Sequence, residues 1–269
     1  MIKIQKFIGL LILVVILGTF SACGTEKADN VIKLGITGSE SEVWNHIKDE
    51  LAKEGITLEI ISFSDYTRPN LALAEGEIDL NSFQHYAFFE NFKEQHDLEL
   101  TAIGETVIAP IGLYSSKIKD VSEIKEGAEI AIPNDATNGG RALKLLETAG
   151  LIKVDETVGN TPTLKDITEN RLNLKLTEVD AGTTARALDD VVATVINSGF
   201  AVDAGFTPLK DSIFLEPIDE NSRPYINIIV ARTKDKDNEL YKRVVEIYQT
   251  DEVKAIIEEL YKGSQVTTW

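Results

Sequence analysis

The chain of 269 residues has one cysteine, Cys23, so no disulfide can form within it. Its three histidines, His46, His85 and His96, are scattered and lack the spacing of a metal-binding set. There is no G-x-S-x-G, no G-x-x-x-x-G-K-[ST] and no H-E-x-x-H. The local signatures of a nucleophile elbow, a phosphate-binding loop and a zinc protease are therefore missing. Acids are plentiful, yet nothing selects a catalytic pair, and Asp189-Asp190 reads as a solvated face or helix-end charge. An enzyme is not expected, nor is a cofactor or a metal. Basic residues are also scarce: 27 Lys and Arg stand against 44 Asp and Glu, for a formal net charge of -17. That field disfavours nucleic acid and anionic membrane surfaces, and it repels polyanions at long range. A zwitterion is indifferent to it. No internal repeat or low-complexity segment is found.

One long apolar run is present, Phe7–Phe20 (FIGLLILVVILGTF), preceded by Lys3 and Lys6. It is short for a membrane-spanning helix. Ser21-Ala22-Cys23-Gly24 follows, so the order is basic head, apolar stretch, small residues, as in a secretory signal. The lone cysteine comes directly after the small residues. That pattern resembles the bacterial lipoprotein signal, in which the cysteine becomes the lipid-bearing first residue. Phe20 stands where leucine is usual. The expectation is a signal peptide over 1–22, lipidation (palmitate) at Cys23 and a flexible tether over 23–30. The chain would then sit on the extracytoplasmic face of the cell membrane. An uncleaved anchor or a buried free thiol is the plainer alternative.

Beyond residue 30, strand and helix patterns alternate. Val31–Ile36 reads as a strand, and Ser39 with Glu42 as a capping box for a helix carrying Val43, Ile47 and Leu51. Ile56–Phe63, Ile78–Phe83, Leu100–Ala109, Ile130–Ile132, Leu172–Val179, Val191–Ile196 and Tyr225–Val230 read as further strands. Helices are expected at Pro69–Ala74, His85–Lys93, Leu164–Asn170, Thr183–Leu188 and Ser198–Ala204, with two closing helices over Asn238–Tyr261. Such alternation predicts an α/β fold with largely parallel sheets. Crossings at Pro110 and near Pro224 divide it into one lobe of 31–109 with 225–269 and a second of 110–224.

The stretch Glu129–Leu151 (EIAIPNDATNGGRALKLLETAGL) carries the most specific signal. It reads as a buried strand, a polar loop and a helix with Asn138 as N-cap beside Gly139, Gly140 and Arg141. Free backbone N–H groups, the helix dipole and a guanidinium would suit one small carboxylate in a two-pronged grip. The alternative is that Arg141 pairs with a surface acid. Ligands in open α/β sheets gather at the carboxyl ends of strands. Tyr66, Phe83, His85, Asn138, Arg141, Asn197 and Asn227 occupy such places or lie close to a crossing. An amide offers an oxygen to an ammonium and a nitrogen to a carboxylate, so Asn197 and Asn227 suit an α-amino acid. Asn197 is equally plausible as the N-cap before Ser198. Tyr66, Phe83 and His85 would make an aromatic pocket hospitable to a thioether. Taken singly, Phe83 and Trp44 read as core and His85 as a capping histidine, and His46 and His96 have no assigned role.

FSDYTRPNLALAEGEIDLNSFQH (63–85), the stretch 108–152 with its PND-x-T-N-x-GRAL run, ALDDVVATVINSGFAVDAG (187–205) and YINIIVARTKDKDNE (225–239) resemble the NlpA/MetQ lipoprotein family. These are the solute-binding proteins of methionine ABC importers, and the resemblance spans almost all of the mature chain. It implies a two-lobed type II periplasmic-binding-protein fold, each lobe a mixed, mostly parallel sheet flanked by helices. It implies capture of L-methionine by a monomer and delivery to a membrane permease with its ATPase subunit. Carried over by motif, Arg141 would bind the carboxylate, Asn197 and Asn227 the amino-acid head, and Tyr66, Phe83 and His85 the thioether. Ser82, where members commonly carry an aromatic residue, and AGTTARALDD (181–190) depart from the pattern. They leave a methionine-containing dipeptide or another apolar amino acid open as ligand, and an adhesin-type surface lipoprotein open as function.

Overall fold

The computed structural model describes residues 30–39 and 41–269, so the signal segment and Cys23 lie outside the described residues. Among the described residues thirteen strands follow in chain order: β1 (Val31–Thr37), β2 (Thr57–Phe63), β3 (Leu80–His85), β4 (Leu100–Ile108), β5 (Gly112–Tyr114), β6 (Glu129–Pro133), β7 (Lys153–Val154), β8 (Ile167–Glu169), β9 (Lys175–Val179), β10 (Ala193–Ile196), β11 (Ser212–Leu215), β12 (Ile226–Arg232) and β13 (Val266–Thr267). The α-helices are α1 (Glu42–Lys53), α2 (Arg68–Glu75), α3 (Tyr86–His96), α4 (Ala136–Thr148), α5 (Ser198–Asp203), α6 (Pro208–Asp211), α7 (Glu239–Tyr248) and α8 (Asp251–Tyr261).

The strands form two main sheets, one in each lobe. A six-stranded sheet has the order β13-β4-β12-β3-β1-β2, and a five-stranded sheet the order β11-β5-β10-β6-β9. Both are mixed. The expected parallel pairing holds in one half of each sheet, where β1 meets β2 and β3, and β6 meets β9 and β10. The other half is antiparallel, because it is built from β4 and β12, β5 and β11, the strands next to the crossings, and from β13. The first crossing runs from Ile108 to Gly112, the second through the turn Glu220–Tyr225 into β12.

Each sheet has its own core. Ile32, Leu34, Ile47 and Leu58 pack with Val244 and Val253 of the closing helices, so the end of the chain completes the six-stranded sheet. Ile130, Ile132, Leu145, Leu146 and Val195 form the second core around α4. Each such side chain contributes about 1.5–3 kcal/mol when fully buried.

Several local expectations are corrected. Ser41, not Ser39, caps α1 and accepts from Trp44 N. The backbone N–H of Ser39 instead donates to Asp203 Oδ1 (3.2 Å), 164 residues away. The segment from Leu164 is a single 3-10 turn followed by β8, not a helix, and Thr183–Leu188 is broken into two such turns. Their polar residues cap turns rather than sustain helices: Asp166 accepts from Thr163 N and Asp180 from Gly182 N.

Candidate ligand-binding site

A cavity of about 160 Å³ opens where the carboxyl ends of β3, β6 and β10 meet the crossings. For scale, an engineered apolar cavity of about 150 Å³ accepts benzene. All seven residues singled out from the sequence line it: Tyr66, Phe83, His85, Asn138, Arg141, Asn197 and Asn227.

Phe83 and His85 come from β3, whose pairing with β12 slips between Ile228–Gln84 and Val230–Asn81. One residue on β12, Ile229, thus faces two on β3, Ser82 and Phe83. Such a bulge re-aims side chains, and Ser82, Phe83, Gln84 and His85 all reach the cavity wall. Behind them a buried amide cluster fixes the strand: Asn70 and Gln84 exchange hydrogen bonds of 2.8 and 2.7 Å, and Asn81 donates to Asn70 (2.9 Å). The conspicuous NSFQH run is therefore half scaffold and half lining.

His85 plays two parts. It is the N-cap of α3, its Nδ1 accepting from Phe88 N at 3.1 Å. Nδ1 thus carries no proton, and the proton of the neutral ring lies on Nε2, which donates to Asn138 Oδ1 at 3.2 Å. Burial, together with the charge of Arg141, pushes the imidazole down to about 3, so it is neutral near pH 7.

The reading of Asn138 as helix N-cap is overturned. The cap of α4 is Asp135, whose Oδ1 accepts from Asn138 N (2.9 Å). In P-N-D-A-T-N, either polar residue has the chemistry of a cap, and the register of the turn decides between them. The two glycines do not open the backbone to an anion either. A Cβ on Gly139 would lie 2.9 Å from Pro133 O, and one on Gly140 would lie 2.9 Å from Thr161 Cα. They allow α4 to pack closely against its neighbours. From this helix only the side chains of Asn138 and Arg141 reach the cavity.

Arg141 is 2 % exposed. Its Nε donates to Glu216 Oε1 (2.8 Å) and its Nη2 to Glu216 Oε2 (2.5 Å) and Ala109 O (3.1 Å). The two-pronged edge expected to grip a ligand is thus spent on an acid of the protein. Sequence reasoning left that pairing open, but Glu216 is no loose surface group: Ile111 N also donates to it, at 3.2 Å. Among the described residues neither N–H of Nη1 has a hydrogen-bond acceptor. The Arg141 guanidinium carbon lies 4.1 Å from the centre of the Tyr225 ring, a cation–π distance that holds it flat.

Asn197 precedes α5 but makes no side-chain cap there. Its Nδ2 donates to Asn138 Oδ1 at 2.7 Å. Among the described residues its Oδ1 is buried without a hydrogen-bond partner. An acceptor stranded in this way costs about 1–3 kcal/mol, and a ligand donor would recover that cost. Asn227 spends its Nδ2 on Val107 O (3.2 Å). Its oxygen is the end it can offer.

The apolar end is a cluster of rings. Tyr66 lies 5.7 Å from Phe83, 5.8 Å from Phe88 and 5.0 Å from Phe200 between centroids. Phe88 sits edge-on to Phe83 at 6.0 Å. Burial holds the Tyr66 hydroxyl protonated, well above its ordinary range. Trp44 both joins the first core and reaches the cavity. Phe88, Phe200, Glu216, Tyr225 and Asp135 were not found from the sequence. The aromatic run YAFFENF was a signal for Phe88; Glu216 had none.

Two mixed sheets linked by two crossings, with a charged and aromatic cavity where they meet, make this a two-lobed solute-binding protein of the type II class. The family model described as NlpA lipoprotein matches residues 32–269. A D-methionine-binding lipoprotein MetQ of Yersinia pestis is 41 % identical over 272 residues, covering 98 % of this chain and 99 % of the relative. A nutrient-binding protein from Burkholderia cenocepacia, solved bound to methionine, is 42 % identical with a TM-score of 0.83, covering 88 % of this chain and all (100 %) of that one. The substrate-binding protein of a methionine transporter from Streptococcus pneumoniae is 43 % identical with a TM-score of 0.84, over 89 % and 96 % of the two chains. The chain belongs to the NlpA lipoprotein family.

Proposed function

We propose that this protein is the extracytoplasmic receptor of an ABC importer and that it captures methionine as the zwitterion. It is a binding protein, not a catalyst. It acts as a monomer tethered through lipid on Cys23 and hands its ligand to a permease driven by an ATPase subunit. The observation that carries the reading is the set of groups around one small cavity. Nη1 of Arg141 answers a carboxylate, the stranded Oδ1 of Asn197 answers an ammonium, and the rings of Tyr66, Phe83 and Phe88 answer a thioether. Arg141 and Glu216 offset each other in charge and His85 is neutral, so a ligand without net charge fits best. The lobes that close on it are 31–109 with 225–269 and 110–224. His85–Asn138 and Tyr66–Phe200 are the contacts that closure would make across the cleft.

L-methionine at a hundredfold excess over its Kd should stabilise the closed form by about 2.7 kcal/mol. For a body of this size that is a rise in Tm of roughly 5–10 °C. No shift with any amino acid would end the proposal.

One observation favours a longer ligand. Thr37, Trp44, Ser82 and Gly199 line both this cavity and a neighbouring recess of about 330 Å³. Serine at 82 keeps its part of the shared wall small. Mass spectrometry of the solute retained on native purification separates free methionine from a methionine-containing dipeptide.

A further inference from the structure

We infer that Asp135, which does not line the cavity, decides which end of the Asn197 amide faces the ligand, and so selects for an ammonium group. The inference rests on the amino-acid reading above. It follows from a chain of hydrogen bonds whose direction is forced at both ends.

The first end is a carboxylate. Asp135 Oδ1 and Oδ2 lie 3.1 and 3.0 Å from Asn138 Nδ2. A carboxylate only accepts, so Asn138 must turn its NH2 group to it and its oxygen away. The other end is the N-terminus of α3. Phe88 N donates to His85 Nδ1, which leaves the ring proton on Nε2, facing Asn138 Oδ1. A donor here again demands that Asn138 present its oxygen. With that oxygen fixed, Asn197 must present Nδ2 to it, at 2.7 Å. The Asn197 oxygen is then the end left over, and among the described residues it is buried without a hydrogen-bond partner, on a residue that lines the cavity.

An amide alone is indifferent to being turned over, since it carries a donor and an acceptor of similar shape. Asp135 removes that indifference from a distance of two side chains. Were Asn197 reversed, its NH2 would meet a ligand ammonium donor to donor. Asp135 is therefore a positioning residue for specificity.

The test uses the full-length, detergent-solubilised protein. It measures the affinities of L-methionine and of 4-(methylthio)butanoate, the same molecule without its amino group. D135N and D135S keep a residue that caps helices well, so α4 keeps its start. Each can donate as well as accept, so Asn138 is left with only the 3.2 Å contact to the neutral His85 to direct it, weaker than its pair of bonds to a carboxylate. In both variants the preference for methionine over the des-amino acid should fall at least tenfold, through weaker methionine binding. Affinity for the des-amino acid should change less than threefold, because Arg141 is untouched. A preference unchanged in both variants, or parallel weakening of both ligands, would overturn the role of Asp135 and leave the amino-acid reading intact. A wild-type protein that binds neither compound overturns both.

Discussion

The six-stranded and five-stranded sheets supply the same cavity with different chemistry. From the six-stranded side come Phe83, His85, Tyr66 and Phe88, rings that pack on one another at 5.7–6.5 Å. From the five-stranded side come Asn138, Arg141 and Asn197, each held by a hydrogen bond to another fixed group. Asn227, at the start of β12, and Gln84 of β3 are the exceptions that bring amides to the aromatic side. The rings need only shape and adequate burial. The polar groups need direction, and direction is enforced from behind by two acids, Asp135 and Glu216. One side should thus tolerate change by degrees, and the other should fail outright.

The largest effect should come from Arg141→Ala. It removes the one cation among the described residues that line the cavity and strands Glu216, which is 17 % exposed. Breaking such a buried pair costs about 3–5 kcal/mol, so the variant should lose both methionine binding and several degrees of Tm. Glu216→Gln sharpens the point by keeping the guanidinium and deleting its counter-charge. The cavity then carries net positive charge. Methionine should weaken severalfold, while the des-amino anion should gain, as isothermal titration would show. If both ligands weaken alike, Glu216 only packs Arg141 and does not set the charge of the site.

These two residues also mark where the sequence stops being legible. Arg141 was visible because it stands in a run whose strand, loop and helix are all local, and because that run matches a family motif. Glu216 was not, since it lies 75 residues further on and reaches Arg141 only through the pairing of β11 with β5. Neither β11 nor the short helix before it showed a period that could be read. The capping of α1 and α4 went to residues two and three positions from the expected ones for a related reason: several side chains near each start can accept a backbone N–H, and the register of the first turn decides. Asn197 and Asn227 were legible as types at strand ends. That Asn197 shows its oxygen to the cavity depends on Asn138 and Asp135, and no reading of a strand end contains that.

A smaller effect is expected on the aromatic side. Phe83→Ala deletes one wall of a cluster whose other rings remain in place. A ring contact of this kind is worth about 0.5–1.5 kcal/mol beyond its area, and a sulfur–aromatic contact about 0.3–1.5 kcal/mol. Methionine affinity should drop roughly tenfold, and affinity for the des-amino acid by the same factor, because both carry the same thioether. A loss confined to methionine would show that Phe83 acts on the charged head, and the division between the two sheets would fall.

The smallest effect at neutral pH, and the one that joins the two sides, belongs to His85. It sits on the aromatic strand but donates to Asn138 of the polar side. Its folded-state pKa is lowered to about 3, first by burial and then by the charge of Arg141. In the unfolded chain it titrates near 6.5. Between these values the unfolded state binds a proton that the folded state refuses, so stability rises with pH across the window and levels off above about 6.5. On acidification the contribution is lost from about 6.5 downward, with a slope of at most about 1.4 kcal/mol per pH unit. His85→Asn keeps a good helix N-cap but cannot take up a proton. At pH 7 it should be modestly less stable than the wild type through the lost bond to Asn138. As the pH falls from 6.5 to 4.5 the wild type should lose ground on it, and urea midpoints taken at several pH values would show the curves converging. Curves that stay parallel would mean that the histidine takes up its proton in the folded state as readily as in the unfolded chain. The neutral ring that fixes the direction of Asn138 would then be lost at mildly acid pH.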